Sequence, residues 1–313
     1  MKKYLLLLLS AITLSAEPTF VETDRAKLFC TVEGKGSPII VLHGGPGLSQ
    51  DYLLPQMNKL AENHLVIFYD QRGSGKSEGG QNEALMQLSV FIEDIEAIRK
   101  NFGLEKVSIL GHSWGGFLAM NYAIAYPEAI GKLILLNSMP STSEDLELFL
   151  QEWTRRMTPH MDELNQIQNS KEFAAGDPDT MANYLQIIFR TYCALKESAD
   201  VLQLQASPEA NRKWIKTSEH FSQTLFAMPF NLDPDLKELS CKTLIVHSDR
   251  DPIPLSTAKH LSKVIPSSQL VVLKDCGHFP YVEKPEELFP ILETFLNSSD
   301  RPQQREQPAE SQN

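Results

Sequence analysis

The chain has 313 residues, of which 42% are hydrophobic and 22% are charged. This length and apolar content are enough for a full core, and α/β folds of this size often form one compact unit. The formal net charge is −11, from 29 Lys and Arg against 40 Asp and Glu. Nucleic-acid binding demands clustered Lys and Arg, and no basic stripe is visible, so we expect no nucleic-acid partner.

The first sixteen residues have the features of a targeting segment. Lys2 and Lys3 form a basic start, residues 4–12 are mostly apolar, and Ala16 is a small residue before Glu17. The apolar stretch is too short to span a bilayer comfortably, which is typical of a secretory signal peptide. We therefore predict a signal peptide over residues 1–16, cleaved after Ala16; the alternative is an uncleaved anchor. The mature chain is expected to be exported, periplasmic or extracellular, with no stable membrane insertion.

Hydrophobic patterns up to residue 138 predict strands that alternate with helices. A strand pair is predicted near 20–32, strands at 38–42, 65–69, 107–110 and 132–136, and helices near 52–63, 85–102 and 117–123. Two more strands follow at 242–247 and 269–273. The alternation predicts an α/β fold with a mostly parallel sheet covered by helices on both faces. Ligands bind such sheets beyond the carboxyl ends of the strands.

Between residues 139 and 239 the alternation stops and the period becomes helical. We predict a helical cap over 139–239, a core made of 17–138 and 240–297, and a disordered tail over 298–313, which is rich in Gln, Pro, Ser and Glu. Most cap aromatics are expected to form the cap's own core, with two or three facing the pocket. The aromatics considered are Trp153, Phe173, Tyr184, Phe189, Tyr192, Trp214, Phe221 and Phe226.

The segment Gly-His-Ser-Trp-Gly at 111–115 joins the strand at 107–110 to the following helix. Strand, sharp turn and helix are the context that makes G-x-S-x-G a nucleophile elbow, which exposes Ser113. Gly111 and Gly115 permit the close backbone approach that such a turn needs. The alternative is a tight turn that carries an ordinary surface serine.

A serine hydroxyl is a poor nucleophile and needs a base, which in turn needs an orienting carboxylate. The expected chain order after this elbow is Ser, then Asp or Glu, then His. His278 follows the strand at 269–273, and both Asp249 and Asp251 follow the strand at 242–247. Either carboxylate could reach the imidazole, and the other would then be a turn residue that bonds its own backbone.

The strand at 38–42 ends in His-Gly-Gly-Pro-Gly at 43–47. A glycine-rich turn here can present a backbone N–H to a developing oxyanion, with the N–H of Trp114 as its partner. Gly45 is our first choice for this oxyanion-hole donor and Gly44 the second. We assign His43 the structural task of holding the loop.

The four cysteines, at 30, 193, 241 and 276, are widely spaced. Their spacing shows neither a metal pattern nor a compact disulfide scaffold, and it leaves any pairing open. Cys276 lies two residues before His278, and we interpret it as a small side chain that packs near the site rather than as a nucleophile.

With these motifs the chain resembles the α/β-hydrolase superfamily and, more narrowly, the proline iminopeptidase group of serine peptidases. The resemblance rests on H-G-G-P-G at 43–47, Y-D-Q-R-G-S-G-K-S at 69–77, G-H-S-W-G-G at 111–116 and G-H-F-P at 277–280. It covers roughly residues 25–298. In the family the acid is the fourth residue of a Gly-x-x-Asp turn; Ser248 stands in the glycine's place, so the resemblance implies Asp251.

The resemblance implies a serine hydrolase with an acyl-enzyme mechanism and no cofactor or metal, and a bacterial source. It favours an aminopeptidase that releases N-terminal proline from short peptides, whose ammonium group would be held by a buried cap carboxylate. The chain has Glu152-Trp153 where better-known members carry Trp-Glu. The alternatives are a carboxylesterase, acylglycerol lipase or lactonase acting on small acyl substrates, and a non-catalytic ligand-binding relative. The candidate carboxylates are Glu152, Glu163, Glu172, Glu197, Glu209 and Glu219.

Overall fold

The computed structural model describes residues 17–299 except 24 and 81. The predicted signal peptide, and the predicted tail beyond residue 299, lie outside the described residues. The described strands are β1 (Glu17–Thr23), β2 (Ala26–Glu33), β3 (Ser37–Leu42), β4 (His64–Tyr69), β5 (Glu78–Gly79), β6 (Val107–His112), β7 (Ile130–Leu136), β8 (Lys242–Ser248) and β9 (Ser268–Leu273).

These strands form one sheet in the order β1-β2-β4-β3-β6-β7-β8-β9, with the two-residue β5 paired to β2. The pairs β1/β2 and β2/β4 are antiparallel. Every pair from β4/β3 to β8/β9 is parallel. The predicted fold class, a mostly parallel α/β sheet, is confirmed. Because β3 and β6 to β9 run the same way, the loops that follow them meet at one edge.

Helices connect the strands and fill the long segment between β7 and β8. Within the described residues, no helix is both long and apolar enough to cross a membrane. The α-helices are α1 (Leu88–Asn101), α2 (Trp114–Ala125), α3 (Ser143–Met157), α4 (Met161–Gln168), α5 (Lys171–Ala175), α6 (Pro178–Tyr192), α7 (Pro208–Gln223), α8 (Asp233–Leu236), α9 (Leu255–Val264), α10 (Pro280–Glu283) and α11 (Pro285–Leu296).

The predicted helix near 52–63 is instead two 3-10 helices, Gln50–Leu53 and Gln56–Glu62. Pro55 stands between them, and a proline in that position removes a backbone donor and blocks a continuous α-helix. The predicted helix near 85–102 likewise begins with a separate 3-10 turn at Glu83–Leu85, before α1.

Side-chain alternation along the central strands divides the core into two layers. In β3, Ile40 and Leu42 join one buried cluster, whereas Ile39 and Val41 join the other. The first layer includes side chains of α1, α2 and α9, and the second includes side chains of α11 and of the 3-10 helix Gln56–Glu62. Strands buried on both faces have near-continuous apolar sequences, which is why these segments were recognisable.

The segment between β7 and β8 contains α3 to α8, in the range where a helical cap was predicted. Three of its helices begin directly after a residue whose side chain accepts a backbone N–H of the first turn: Thr142 caps α3, Asp177 caps α6 and Ser207 caps α7. A proline occupies the first position of α6 and of α7, where its missing N–H costs no helix bond.

The two ends of this segment meet at His260 of α9. Its Nδ1 lies 2.5 Å from Asp145 Oδ2 and its Nε2 lies 2.8 Å from Asp233 Oδ2. Partial burial alone would lower the pKa of His260, but the two carboxylates outweigh burial and raise it. One imidazole therefore ties the beginning and the end of the helical segment to the core.

A buried ion pair anchors the D-Q-R-G-S-G stretch to α1. The guanidinium of Arg72 makes two hydrogen bonds to Asp94, at 2.7 Å and 2.6 Å, and the two side chains are 1% and 2% exposed. Removing one partner of such a pair leaves an uncompensated buried charge.

We expect Asp94→Asn to lower the free energy of unfolding by about 3–5 kcal/mol, because Arg72 then stays charged in an apolar layer. The matched control is Glu22→Gln, which breaks the exposed Glu22–Lys27 pair and should leave the free energy of unfolding nearly unchanged, because solvent screens that pair. Urea unfolding of both variants measures the difference. Equal losses would contradict the role given to the buried pair.

Candidate active site

Ser113 lies at the sharp turn between β6 and α2, at the carboxyl edge of the sheet. Its backbone has φ 58° and ψ −123°, a conformation that costs a non-glycine residue about 1–3 kcal/mol. Hydrogen bonds hold the turn: the Ser113 N–H donates to Leu136 O at 3.1 Å, and the Met139 N–H donates to Ser113 O at 3.0 Å. The serine is half-buried between fully buried neighbours. This is the elbow geometry that the sequence predicted.

The glycines on either side of Ser113 are required by backbone contacts. A Cβ on Gly111 would lie 2.2 Å from the carbonyl oxygen of Gly115, and a Cβ on Gly115 would lie 2.2 Å from that of Leu42. Both obstacles are backbone atoms, which cannot swing aside as a flexible side chain can. Any side chain here would push α2 away from β6 or β3.

The loops after β8 and β9 bring Asp251 to His278. The Nδ1 of His278 lies 2.8 Å from Asp251 Oδ2, and both side chains are buried. The other oxygen, Asp251 Oδ1, accepts the N–H of Ile253 at 2.6 Å. Of the two aspartates that the sequence offered, the structure therefore places Asp251 against the imidazole. Asp249 instead lies near Lys274, with its Oδ2 3.8 Å from the ammonium.

The electrostatics of the pair keep Asp251 ionised. Burial alone would raise the pKa of this carboxyl, but the charge of His278 and its hydrogen bond outweigh burial and hold the pKa below its ordinary value. Because Nδ1 of His278 is engaged by the carboxylate, Nε2 is the ring nitrogen left to act as a base. Ser113 and His278 line the same cavity.

The glycine-rich loop after β3 lies beside the elbow. A Cβ on Gly44 would lie 3.0 Å from the Ser113 Cβ, so the two residues are in close contact. The N–H of Gly44, our second choice for the oxyanion donor, already donates to the Tyr52 hydroxyl at 2.6 Å. Gly45 lines the cavity with φ +128°, a conformation that favours glycine. Gly45 thus remains the candidate oxyanion donor of this loop. The second candidate donor is the N–H of Trp114, the first residue of α2, which has no acceptor inside its helix.

His43 lies behind the glycine-rich loop and does not line the cavity. Its Nε2 accepts the N–H of Gln71 at 3.0 Å, so Nδ1 carries the proton and donates to Gly44 O at 2.8 Å. The side chain of Gln71 continues this network, because its amide donates to His43 O and accepts from the indole of Trp114. Burial lowers the pKa of His43 to about 4. His43 therefore holds the loop as a neutral residue, as the sequence analysis assigned.

A second neutral histidine, His112, joins the glycine-rich loop to the histidine loop, and sequence reasoning missed it. Its Nε2 donates to the carbonyl of His278 at 2.8 Å, so its Nδ1 accepts the hydroxyl of Tyr52 at 2.7 Å. The same hydroxyl accepts the N–H of Gly44. Burial and the nearby His278 lower the pKa of His112 to about 3. Tyr52 and His112 are 60 residues apart, and no sequence pattern pairs them.

Asn137, the first residue after β7, also reaches the site and was missed. Its side-chain amide donates to Asp251 Oδ2 and, at 2.9 Å, to the carbonyl of Gly277. The one signal in the sequence was its position, because a polar side chain directly after a buried strand lies at the ligand-binding edge.

A cavity of 470 Å³ opens over Ser113 and His278, between the core and the segment α3 to α8. Six of the eight aromatics considered above line it, so the expectation of two or three was too low. Periodicity identifies the apolar faces of helices but not which of those faces meets a cavity. The six are Trp153, Phe173, Tyr184, Phe189, Tyr192 and Trp214; Phe221 and Phe226 pack on Trp114 instead.

The expected buried carboxylate is absent from the described lining of this cavity. Glu219 is the one Asp or Glu among the described lining residues, and it is exposed and accepts a hydrogen bond from Gln223. Glu152 is half-buried but paired with Arg155 and Arg156. The remaining candidates, Glu163, Glu172, Glu197 and Glu209, are exposed and do not line the cavity.

The four cysteines are buried or half-buried thiols, and the one nearest His278 in the sequence is Cys276. All four cysteines are unpaired, and burial raises the pKa of the Cys276 thiol to about 12, which fits a packing role. In the part of the chain that the structure describes, no group of three or more His, Cys, Asp or Glu side chains is placed to hold a metal ion.

We expect Gly111→Ala to lower the free energy of unfolding by about 1–3 kcal/mol or more, because its Cβ would overlap the backbone of Gly115. Gly131→Ala is the matched control in the neighbouring strand β7, since a Cβ there would meet nothing closer than 3.6 Å. Urea unfolding compares the two. A Gly111→Ala variant as stable as Gly131→Ala would contradict the close contact at the elbow.

Comparison with known proteins agrees with this geometry. A family model described as an alpha/beta hydrolase fold matches residues 37–285. A proline iminopeptidase of Heyndrickxia coagulans is 31% identical over 269 residues, which are 85% of this chain and 92% of that protein. One from Clostridioides difficile is 30% identical, with 86% and 92% covered.

Solved structures show the same fold at lower identity. A proline iminopeptidase of Mycobacterium smegmatis has a TM-score of 0.64 at 21% identity, covering 90% of this chain and 97% of that one. An esterase from Rhodococcus has a TM-score of 0.66 at 21% identity, with 91% and 99% covered. The chain therefore belongs to the α/β-hydrolase family and, within it, resembles the proline iminopeptidases.

Proposed function

We propose that the protein is a serine hydrolase that acts through an acyl-enzyme, with Ser113 as nucleophile, His278 as base and Asp251 as the orienting acid. The observation that carries the proposal is the buried Asp251–His278 hydrogen bond beside an elbow serine on one cavity. A protein that only binds a ligand would need neither the strained turn nor the bonded pair.

In the proposed reaction, Ser113 Oγ attacks the substrate carbonyl while His278 Nε2 takes its proton. Asp251 stabilises the imidazolium that forms and fixes the ring through Nδ1. The N–H groups of Gly45 and Trp114 hold the developing oxyanion, each donor contributing about 10²–10³ in rate. His278 then protonates the leaving group, and a water molecule repeats the cycle on the acyl-enzyme.

For the substrate we propose a short peptide with N-terminal proline. The support is the set of similar proteins named proline iminopeptidases and a cavity enclosed by the helical segment. Among the described residues that line the cavity, Glu219 is the one carboxylate that could bind the ammonium group of such a substrate. Because Glu219 is exposed, its contribution is that of a solvent-screened ion pair, at most about 1 kcal/mol, rather than that of a buried one.

The second candidate is hydrolysis of a small, uncharged acyl ester. It is favoured by the composition of the cavity lining: the described lining residues are mainly aromatic and aliphatic, and among them Glu219 is the one carboxylate and is exposed. An apolar acyl group would fill this cavity without any charged partner. The two candidates share every step of the mechanism and differ in whether a free substrate amine is required.

The acid is tested by two substitutions in one turn. Asp251→Asn should lower kcat by about 10⁴, because the amide favours the wrong histidine tautomer while it keeps the shape of the side chain. Asp249→Asn, two residues away, should change kcat little, since Asp249 makes no contact with the imidazole. Steady-state kinetics on any accepted substrate measures both, and the reverse result would assign the acid to Asp249.

The substrate is tested by comparing proline β-naphthylamide, its N-acetyl form and p-nitrophenyl acetate. We expect the free amine to be cleaved far faster than the acetylated amide. Glu219→Gln should raise KM for the free amine by about fivefold or less, as an exposed pair allows, and should spare the acetate ester. Glu163→Gln, which removes an exposed charge that does not line the cavity, is the control. Ester cleavage without amide cleavage would establish the second candidate instead.

A further inference from the structure

Asn137 lies outside the proposed triad but contacts the loops that carry two of its members. It follows β7, whose neighbour β8 carries the Asp251 loop, and β9 beyond it carries the His278 loop. Its amide bridges the last two, donating to Asp251 Oδ2 and to the carbonyl of Gly277, the residue before His278. The side chain is fully buried.

The chemistry of the partners fixes the orientation of this amide. Both Asp251 Oδ2 and Gly277 O are acceptors, so only the NH₂ end of Asn137 can face them. The Ser248 hydroxyl lies beside both ends of the amide: its oxygen is 3.1 Å from the NH₂ nitrogen, which can donate to it, and 3.4 Å from the amide oxygen, to which it can donate. A flipped amide would place three oxygens together in a buried site, which is strongly unfavourable.

The backbone supports the same arrangement. Asn137 has φ +43°, in the left-handed region that asparagine tolerates better than most residues. Its N–H donates to Val246 O of β8 at 2.9 Å, which holds the turn against the neighbouring strand. The positive φ therefore belongs to a fixed turn that presents the amide to the Asp251–His278 pair.

The carboxylate oxygen that Asn137 contacts is the one that His278 contacts. Asp251 Oδ2 accepts from both His278 Nδ1 and the Asn137 amide, while Oδ1 accepts the N–H of Ile253. Two donors on one oxygen share its negative charge. Loss of the Asn137 donor concentrates that charge on His278 and stabilises its protonated form.

We propose that Asn137 is a positioning residue for the reaction: it holds the Asp251 carboxylate at a fixed distance from the His278 loop and moderates the basicity of His278. The inference rests on the proposed serine mechanism. It does not depend on whether the substrate is a peptide or an ester, because the contacts lie behind the imidazole and not in the cavity.

Other titratable and charged groups also face the Asp251–His278 pair, and the nearest full charge is Arg156 of α3, whose guanidinium donates to the backbone carbonyl of Asp251 at 3.1 Å. His112 and Tyr192 face the imidazole, with ring centroids at 4.7 Å and 5.3 Å. His247 acts on Asp251 from β8, and Glu283 accepts the N–H of Gly277. An Asn137 variant keeps all of these side chains, so a shifted midpoint of its labelling profile is assigned to the lost amide.

The test is the rate at which a fluorophosphonate labels Ser113, measured across pH in the full chain. Asn137→Gly removes the amide without backbone strain, because glycine accepts a positive φ. We expect labelling at the optimum to fall about ten- to a hundredfold and the acidic midpoint of the pH profile to rise by about half to one unit. The midpoint rises because a more basic His278 needs a higher pH to become neutral.

Two further variants keep the test decisive. Ser248→Ala keeps the Asn137 amide but removes the hydroxyl that contacts both of its ends, so the amide is held less firmly against Asp251. We expect the midpoint to move in the same direction by less, and this variant carries the test if Asn137→Gly does not fold. Asn211→Ala removes a buried amide that bridges two backbone carbonyls in the helical segment, and it should lower stability without moving the midpoint.

Failure of this inference differs from failure of the proposed function. If wild-type protein is labelled with a clear acidic midpoint, and Asn137→Gly or, where that variant does not fold, Ser248→Ala keeps the same midpoint, the inference is overturned while the serine mechanism stands. If the wild-type protein is not labelled at Ser113 at any pH, the proposed function fails and the inference fails with it.

Discussion

Close packing of backbone against backbone at the elbow is the constraint on which the site depends. Two glycines make it: a Cβ on Gly111 would overlap the backbone of Gly115, and a Cβ on Gly115 would overlap that of Leu42 at the end of β3. Gly116 adds a close contact with the side chain of Ser138, whose hydroxyl oxygen would lie 2.2 Å from a Cβ there. These contacts set the glycine-rich loop on one side of Ser113 and the Asn137 turn on the other. The elbow thus fixes at once the nucleophile, the loop that carries Gly45 and the turn that reaches Asp251.

The two histidines that support these loops, His43 and His112, are buried and neutral, and their hydrogen-bond partners fix which ring nitrogen carries the proton. His43 carries its proton on Nδ1 because its Nε2 faces a backbone N–H, which can only donate, and His112 carries its proton on Nε2 because that nitrogen faces a carbonyl, which can only accept. Burial lowers the pKa of both, to about 4 and about 3. Near neutral pH neither adds a positive charge beside the oxyanion donors, so their task is geometric. Such networks specify one arrangement of loops because any rearrangement leaves a buried group unpaired.

The sequence was most informative where a local pattern has one physical meaning. Mostly apolar runs of four to six residues indicated the buried strands, and the glycine spacing around Ser113 indicated the elbow. The residues alone did not separate Asp249 from Asp251, because the choice depends on how the turn after β8 curls toward a loop that begins 25 residues later. The resemblance to a known family did separate them, and the structure places Asp251 on the imidazole.

Long-range partnerships were beyond a local pattern. Tyr52 and His112 meet only because β3 and β6 are neighbours in the sheet, and Asn137 meets Gly277 across 140 residues for the similar reason that β7, β8 and β9 lie side by side. The prediction of one helix near 52–63 was wrong because apolar spacing does not distinguish a 3-10 helix from an α-helix. Pro55 interrupts the segment and divides it into two 3-10 helices. We expected a buried carboxylate in the cavity, but the one carboxylate among its described lining residues, Glu219, is exposed. The sequence could not show this, because periodicity does not indicate which face of a helix lines a cavity.

The central claim is that Ser113 is the nucleophile, activated by the Asp251–His278 pair. Fluorophosphonate treatment of the folded protein, followed by intact mass and peptide mapping, tests it most directly. We predict one adduct per chain, on the peptide that contains Ser113, and none in a Ser113→Ala variant that remains folded. No adduct on wild-type protein, an adduct on another residue, or undiminished turnover by Ser113→Ala would contradict the account.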